Sequence, residues 1–310
     1  MLLQQSHTKH SDLNPTYAIM DQLPYIHGNF TIEESPLKGR LVKCTAPIKR
    51  GEPVLIDAPN ALVPAMLVDK PPYMLCSRHG CYRRFTPGSS TSIRTPVLCQ
   101  RKCLPEVVWC SEECRSSDAP RHELECLWLK ETSRQVCNSY GDGEFVLLWL
   151  IVRLLIVRYL DGGDDLDEVG AISQSANTTT NAAKTGQNEG SQTPANQREH
   201  SHFSRRGWQA VWNLEGEPKF FSPDKVQHWR TLAENYICNG ILPLKYPVDE
   251  VVGLICKAET NSFGLYPGIT GQYPVDPKTT RGEYYGGGVW PTAAMFNHSC
   301  CPNVSSVQIC

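Results

Sequence analysis

The stretch "WCSEECRSSDAPRHELEC", from Trp109 to Cys126, decides how the rest of the chain is read. Its marked residues follow the spacing C-x3-C-x7-H-x3-C, at Cys110, Cys114, His122 and Cys126. His122 and Cys126 are four apart, an interval that puts both on one face of a helix, and Cys110 and Cys114 have the same interval. Toward the N-terminus four more cysteines stand in pairs, Cys76 with Cys81 and Cys99 with Cys103. Seven of the fourteen cysteines fall between Cys76 and Cys126, a density that points to metal binding rather than ordinary buried thiols. Eight ligands complete two closed tetrahedral sites, the arrangement of structural rather than catalytic zinc. A block this small has little core of its own, so metal binding is expected to supply its folding energy. His79, between Cys76 and Cys81, reads as a solvated loop residue that could compete as a ligand. No H-E-x-x-H pattern is present, which leaves a zinc hydrolase without support.

The composition around this block is that of a folded chain. The 310 residues are 40% hydrophobic with a formal net charge of −2, enough for one large core or several smaller modules. So small a charge argues against nucleic-acid binding by bulk electrostatics. The first thirty residues are polar, contain prolines and show no secretory leader. The expected location is therefore the nucleus, the cytoplasm or both, where dense cysteine means metal rather than disulfides. The apolar run from Phe145 to Leu160 is interrupted by Arg153 and Arg158 and is shorter than the roughly 20 residues a bilayer span needs. It reads as a buried helix, and no membrane association is expected.

Along the chain, residues 1–30 read as a loosely ordered tail. Residues 31–75 contain short β-type pieces at Leu41–Cys44 and Pro53–Asp57, and 76–126 form the cysteine-rich block. Residues 127–160 read as helical, with expected helices over Leu124–Val136 and Phe145–Leu160. Residues 161–206 almost lack large apolar groups and read as a disordered insertion. Residues 207–258 are helical again, over Pro223–Asn239 with Ser222 as N-cap and over Pro247–Ala258. Residues 259–310 combine short β-type runs with a glycine-rich loop at Gly286–Gly288. The expected class is α+β, in a monomer.

Near the end of the sequence stands "FNHSCCPNV", which resembles the NHSCxPN signature of SET-domain lysine methyltransferases. The cysteine-rich block resembles a MYND zinc finger, although its first pairs are C-x4-C and C-x3-C where C-x2-C is usual. Together they resemble the SET–MYND branch, in which a MYND finger interrupts a SET fold. "KGRLVKCTAPIKRGEPVL", "NSFGLY" and "GGGVWPTAAMFNHSC" fall in the order that branch requires. The resemblance implies interleaved zinc sites, Cys76, Cys81, Cys110 and Cys114 on one ion and Cys99, Cys103, His122 and Cys126 on the other. It implies S-adenosylmethionine as cofactor, contacted by Lys38, Gly39 and Arg40, by Asn261, and by Asn297 and His298. Leu41 stands where the family's turn has a second glycine.

A third zinc, through Cys300, would need a C-x-C-x2-C group beyond the SET core, and the sequence shows none. The segment carrying the tyrosine of the lysine channel is likewise not seen. The implied activity is protein-lysine methylation, on a histone or another protein, with residues 1–310 expected to bind the cofactor weakly and transfer nothing. The alternative is an adaptor whose finger binds proline-rich peptides in an aromatic groove, with Trp109 or Trp128 contributing. One consequence of composition is directly measurable. Limited proteolysis should cut first within residues 161–206, and protection there equal to that of Phe145–Leu160 would overturn the disorder reading.

Overall fold

The computed structural model describes residues 25–36, 39–66, 73–85, 96–161, 207–268 and 282–298, together with Val304 and Ser306. Its frame is a pair of long helices joined by one glycine. Helix α1 (Glu112–Tyr140) starts at Ser111, whose side chain accepts the backbone N–H of Cys114, with Glu112 and Glu113 favourably placed in the first turn. It continues through Pro120, which cannot donate the intrahelical bond at that position. Gly141, at φ 95°, bonds back to the Cys137 carbonyl and at once serves as N-cap of α2 (Asp142–Leu160). A side chain would be strained in that left-handed region, so glycine is what allows so abrupt a reversal.

The hairpin of α1 and α2 is zipped by large side chains. Trp128 stacks on Phe145 with ring centroids 5.8 Å apart, and Phe145 in turn meets Trp149 at 5.9 Å. Trp128, Phe145, Trp149, Ile151 and Leu155 are all fully buried, each stabilising by about 1.5–3 kcal/mol. Three further helices complete the core around this hairpin. Helix α3 (Gly207–Trp212) lies against it, and α4 (Pro223–Ala233) is capped by the Ser222 side chain and extended by a π-turn over Glu234–Cys238. Helix α5 (Val248–Asn261) buries Val251, Val252, Leu254, Ile255 and Cys256 and leaves its other face polar. Among the described residues no helix is long and apolar enough to cross a membrane.

The strands are short and antiparallel. β1 (Tyr25–Ile26) pairs with β4 (Leu55–Ile56), and β2 (Phe30–Ser35) forms a hairpin with β3 (Gly39–Cys44), from Phe30↔Cys44 to Ser35↔Gly39. A three-stranded sheet places β11 (Gly286–Val289) between β5 (Ala61–Pro64) and β10 (Ser262–Leu265). Two small pairs, β6 (Met74–Leu75) with β7 (Arg84–Phe85) and β8 (Val97–Leu98) with β9 (Val108–Trp109), run into and through the cysteine-rich block. Mixed helices and small antiparallel sheets make the class α+β.

Several expectations need correction. The tail expected over 1–30 ends sooner, because Tyr25–Ile26 and Phe30 are already paired in β1 and β2. The helix expected from Leu124 begins at Glu112, since its first turns bury metal ligands and ion pairs instead of an apolar stripe. Helix α1 runs unbroken through residue 126. The glycines at 286–288 form a central strand rather than a loop. They are needed because a Cβ on Gly286 would lie 2.7 Å from the Val63 carbonyl oxygen, and one on Gly288 2.6 Å from that of Ala61. Residues 1–24, the insertion from residue 162 to 206, Lys38 and Cys300 lie outside the described residues, as does most of Val304–Ile309.

Glycine substitutions separate these roles. Gly288→Ala should lower stability by about 1–3 kcal/mol, because the sheet must shift to admit the methyl group. Gly143→Ala, in the first turn of α2 with open space around it, should raise stability by about 0.5–1 kcal/mol. Thermal unfolding of the two variants would show opposite signs.

Candidate metal centres

The eight expected ligands gather into two quartets, Cys76 with Cys81, Cys110 and Cys114, and Cys99 with Cys103, His122 and Cys126. Within each, the donor atoms all lie within 4.8 Å of one another. The first quartet is built where short strands meet a helix start. Cys76 follows β6, bridges to Val108, and accepts the backbone N–H of Cys110 on its sulfur at 3.4 Å. Cys81 comes after a turn containing Gly80 at φ 82°, and Cys110 directly follows β9. Cys114 sits in the first turn of α1. The second quartet takes Cys99 and Cys103 from a turn closed by the Lys102 N–H on the Cys99 carbonyl, and His122 and Cys126 from successive turns of α1.

The distances suit a metal. Tetrahedral zinc at its ordinary bond lengths places two sulfurs about 3.8 Å apart, and a sulfur about 3.6 Å from an imidazole nitrogen. Cys81 and Cys110 have their sulfurs 3.8 Å apart, Cys110 and Cys114 3.5 Å, and Cys99 and Cys126 3.7 Å. His122 Nε2 lies 3.7 Å from the Cys103 sulfur and 3.2 Å from that of Cys99. Thiols this close share protons when nothing else neutralises them. The Cys76 thiol brings Cys81 down to about 5, while that same bond and burial push Cys76 up. Burial opposes ionisation at Cys99, but the Cys103 backbone N–H and the His122 ring bring it down to about 6, and burial pushes Cys103 up. A divalent cation would replace these uneven protons with one positive centre bonded to every thiolate. Both quartets could therefore hold a metal ion, and their donor sets suit zinc.

Behind the quartets lies a buried ionic chain that the sequence reading missed. Asp118 accepts Trp109 Nε1 at 2.8 Å and both Nε and Nη2 of Arg121, at 2.8 and 2.6 Å. Arg121 also reaches the Ser77 carbonyl at 3.2 Å, and its Nη1 stands 2.7 Å from Glu125 Oε1. Glu125 accepts Trp149 Nε1 at 3.0 Å and Arg153 Nε and Nη2 at 3.1 and 3.2 Å, and faces His122 Nδ1 at 3.3 Å. Arg153 donates in addition to the Leu62 carbonyl on β5. Two carboxylates and two guanidiniums balance. Burial works against the charge on Glu125, yet Arg121 and Arg153 hold its carboxyl well below the usual range. The available signals were the Asp118, Arg121, Glu125 spacing on one helical face and the arginines that interrupt the apolar helix.

Other expected site residues fall differently. His79 is outside both quartets, its Nδ1 2.7 Å from the Tyr82 hydroxyl. Trp109 and Trp128 are 1% and 0% exposed, so neither contributes to a surface groove. Their rings are taken up by packing and by the bonds to Asp118 and the Tyr236 carbonyl. A cavity of about 240 Å³ beside the first quartet is lined by Arg78, His79, Asp118, Arg121, Val157 and Leu160. That is below the roughly 300–1,000 Å³ usual for small-molecule sites, and no expected cofactor residue lines it.

The expected cofactor residues that the structure describes lie on β3, at the end of α5 and just after the 3-10 turn that packs on β3. Gly39, at φ 63°, has open space where a side chain would stand. Arg40 donates to the Asn213 carbonyl at 2.9 Å and pairs with Glu215. Asn261, at the end of α5, donates to the carbonyls of Glu215 and Lys257 at 2.6 and 2.8 Å, leaving its own oxygen as the group it can offer a ligand. The 3-10 turn Ala293–Met295 packs on β3, Phe296 meets Phe30 at 5.4 Å, and the exposed Asn297 and His298 follow. Arg40 and Asn261 thus share the loop at Asn213–Glu215, whereas Phe296 meets Phe30 at the Cys44 end of the β2–β3 hairpin, away from Gly39. Compared with protein-family models and with curated proteins, the chain matches none.

The ionic chain makes a prediction opposite to the apolar pattern of α2. Arg153→Leu should lower stability by about 3–5 kcal/mol, because Glu125 keeps its burial and loses a counter-ion. Denaturant unfolding that showed this substitution to be neutral would mean that water or another cation reaches Glu125.

Proposed function

We propose that this chain is a SET–MYND-type scaffold, organised by two structural zinc ions and built for S-adenosylmethionine-dependent methylation of protein lysines. The observation that carries the reading is the interleaving of the two quartets. Ligand spacing alone leaves the division of eight residues between two ions open, and the observed division is the one the family resemblance implies. Each quartet offers four protein donors, so a bound ion would have no open position for substrate, and its work would be to hold the fold.

The methyltransferase part rests on the family motifs and is supported by their placement. Asn297 and His298 follow a turn packed on the strand that carries Gly39 and Arg40, and Asn261 reaches the loop that Arg40 also holds. Bound there, S-adenosylmethionine would supply an electrophilic methyl group. Asn297 and His298 would hold the cofactor, with His298 toward its adenine, and Gly39 would let the backbone approach closely. Arg40 and Asn261 already bond to the chain itself, so their part would be to fix the wall of the site. The acceptor lysine would have to arrive neutral, in line and shielded from water. For the adaptor reading, the burial of Trp109 and Trp128 takes away the two aromatic residues offered for its groove.

Metal analysis of the purified chain should return about two zinc equivalents, as two four-ligand sites require. A value near one would mean that one quartet is not a metal site. Equilibrium dialysis against S-adenosylmethionine should show weak, saturable binding that Asn297→Ala and His298→Ala each abolish. No binding by the unaltered chain would remove the methyltransferase part and leave the metal part standing.

A further inference from the structure

We infer that Glu125 is a positioning residue for the second metal centre, and that through it occupancy of that centre governs how firmly α2 packs on the three-stranded sheet. The inference rests on the metal-binding reading of the quartets. His122 presents Nε2 to the sulfurs of Cys99 and Cys103, and its opposite nitrogen, Nδ1, faces Glu125 Oε1 at 3.3 Å. An ionised carboxylate can only accept, and a neutral imidazole carries one N–H. The proton therefore belongs on Nδ1 and the lone pair on Nε2, aimed into the quartet. Glu125 is three residues beyond His122 on α1, so the helix itself sets their separation.

What distinguishes this pair from an ordinary ligand and its acceptor is what else Glu125 holds. It has no solvent exposure, and its remaining contacts are Trp149 and Arg153 on α2 and Arg121 on α1. Arg153 continues to the Leu62 carbonyl on β5. A continuous path thus runs from the imidazole through Glu125 and Arg153 to the sheet whose middle strand, β11, leads toward Asn297 and His298. A metal on Nε2 fixes the ring and strengthens its Nδ1–H as a donor, which holds Glu125 where α2 needs it. Binding couplings are reciprocal, so whatever the docking of α2 adds to metal affinity, the metal adds to the docking of α2.

The test uses the full chain loaded with cobalt, whose absorption distinguishes a four-sulfur site from one with three sulfurs and a nitrogen. An unaltered chain that takes up no cobalt and no zinc overturns the metal reading itself. Given two ions, Glu125→Gln keeps the side chain's size and an acceptor oxygen but loses the charge. Under chelator competition its three-sulfur site should release cobalt about 10- to 100-fold more readily, with the four-sulfur site unchanged. Equal weakening of both sites, or of neither, overturns the positioning role.

Trp149→Phe, which removes one donor to Glu125 while keeping an aromatic ring, covers the case in which Glu125→Gln does not fold. It should weaken the same site alone, by a smaller factor, and an effect on both sites or none counts against the inference. Hydrogen exchange reads the coupling. Emptying the three-sulfur site of the unaltered chain should speed exchange at Phe145–Val157 and Ala61–Pro64, and Glu125→Gln should shrink that difference. A difference that is absent, or unchanged in the variant, overturns the coupling.

Discussion

Glu125 has no contact with solvent, and an unpaired carboxylate in such a place would be destabilising by several kcal/mol. It is tolerated because Arg121 and Arg153 approach it from two helices, and because the Trp149 indole and the His122 ring complete its surroundings. Each of those partners is itself committed elsewhere. Arg121 is bound to Asp118 and the Ser77 carbonyl, Arg153 to β5, and His122 to the sulfurs of a quartet. Moving either arginine leaves a buried carboxylate short of a counter-ion, so the arrangement is held as a whole.

The same helix carries this chain and the metal ligands. From its first turn to Cys126, α1 faces the cysteine-rich block, and from Trp128 to Val136 it faces the α2 core. A modular finger attached to a separate domain would need a hinge between those two faces. Here the peptide runs on helically with no break. The core and the quartets therefore share a rigid element, and the energetics of one cannot be insulated from those of the other.

Glycine has a comparable role at the other end of the molecule. The strand Gly286–Val289 lies between β10 and β5, and two β5 carbonyls come within 2.7 Å of where its side chains would begin. That closeness brings β5, which receives Arg153, into register with the strand that runs on toward the 3-10 turn and Asn297. A side chain there would push the sheet apart, so the sheet depends on atoms that are missing as much as on those present.

The ligand set and the starts of α4 and α5 were legible in the sequence because they depend on short spacings and local chemistry. Cys110, Cys114, His122 and Cys126 announce themselves by interval, Ser222 caps the helix it precedes, and the apolar run after Phe145 is the helix it suggests. Length, composition and turn residues likewise pointed to an α+β chain. The continuity of α1 through residue 126 and the strand at Gly286–Gly288 were decided only in three dimensions, whereas the division of the ligands, open by spacing alone, is the one the family resemblance implies. Arg153 shows why. By sequence it interrupts an apolar helix, and only the arrival of Glu125 from 28 residues away and of Leu62 from 91 makes it a buried counter-ion. Local spacing determines what a residue can bind, whereas burial and charge pairing depend on which distant segments share its space.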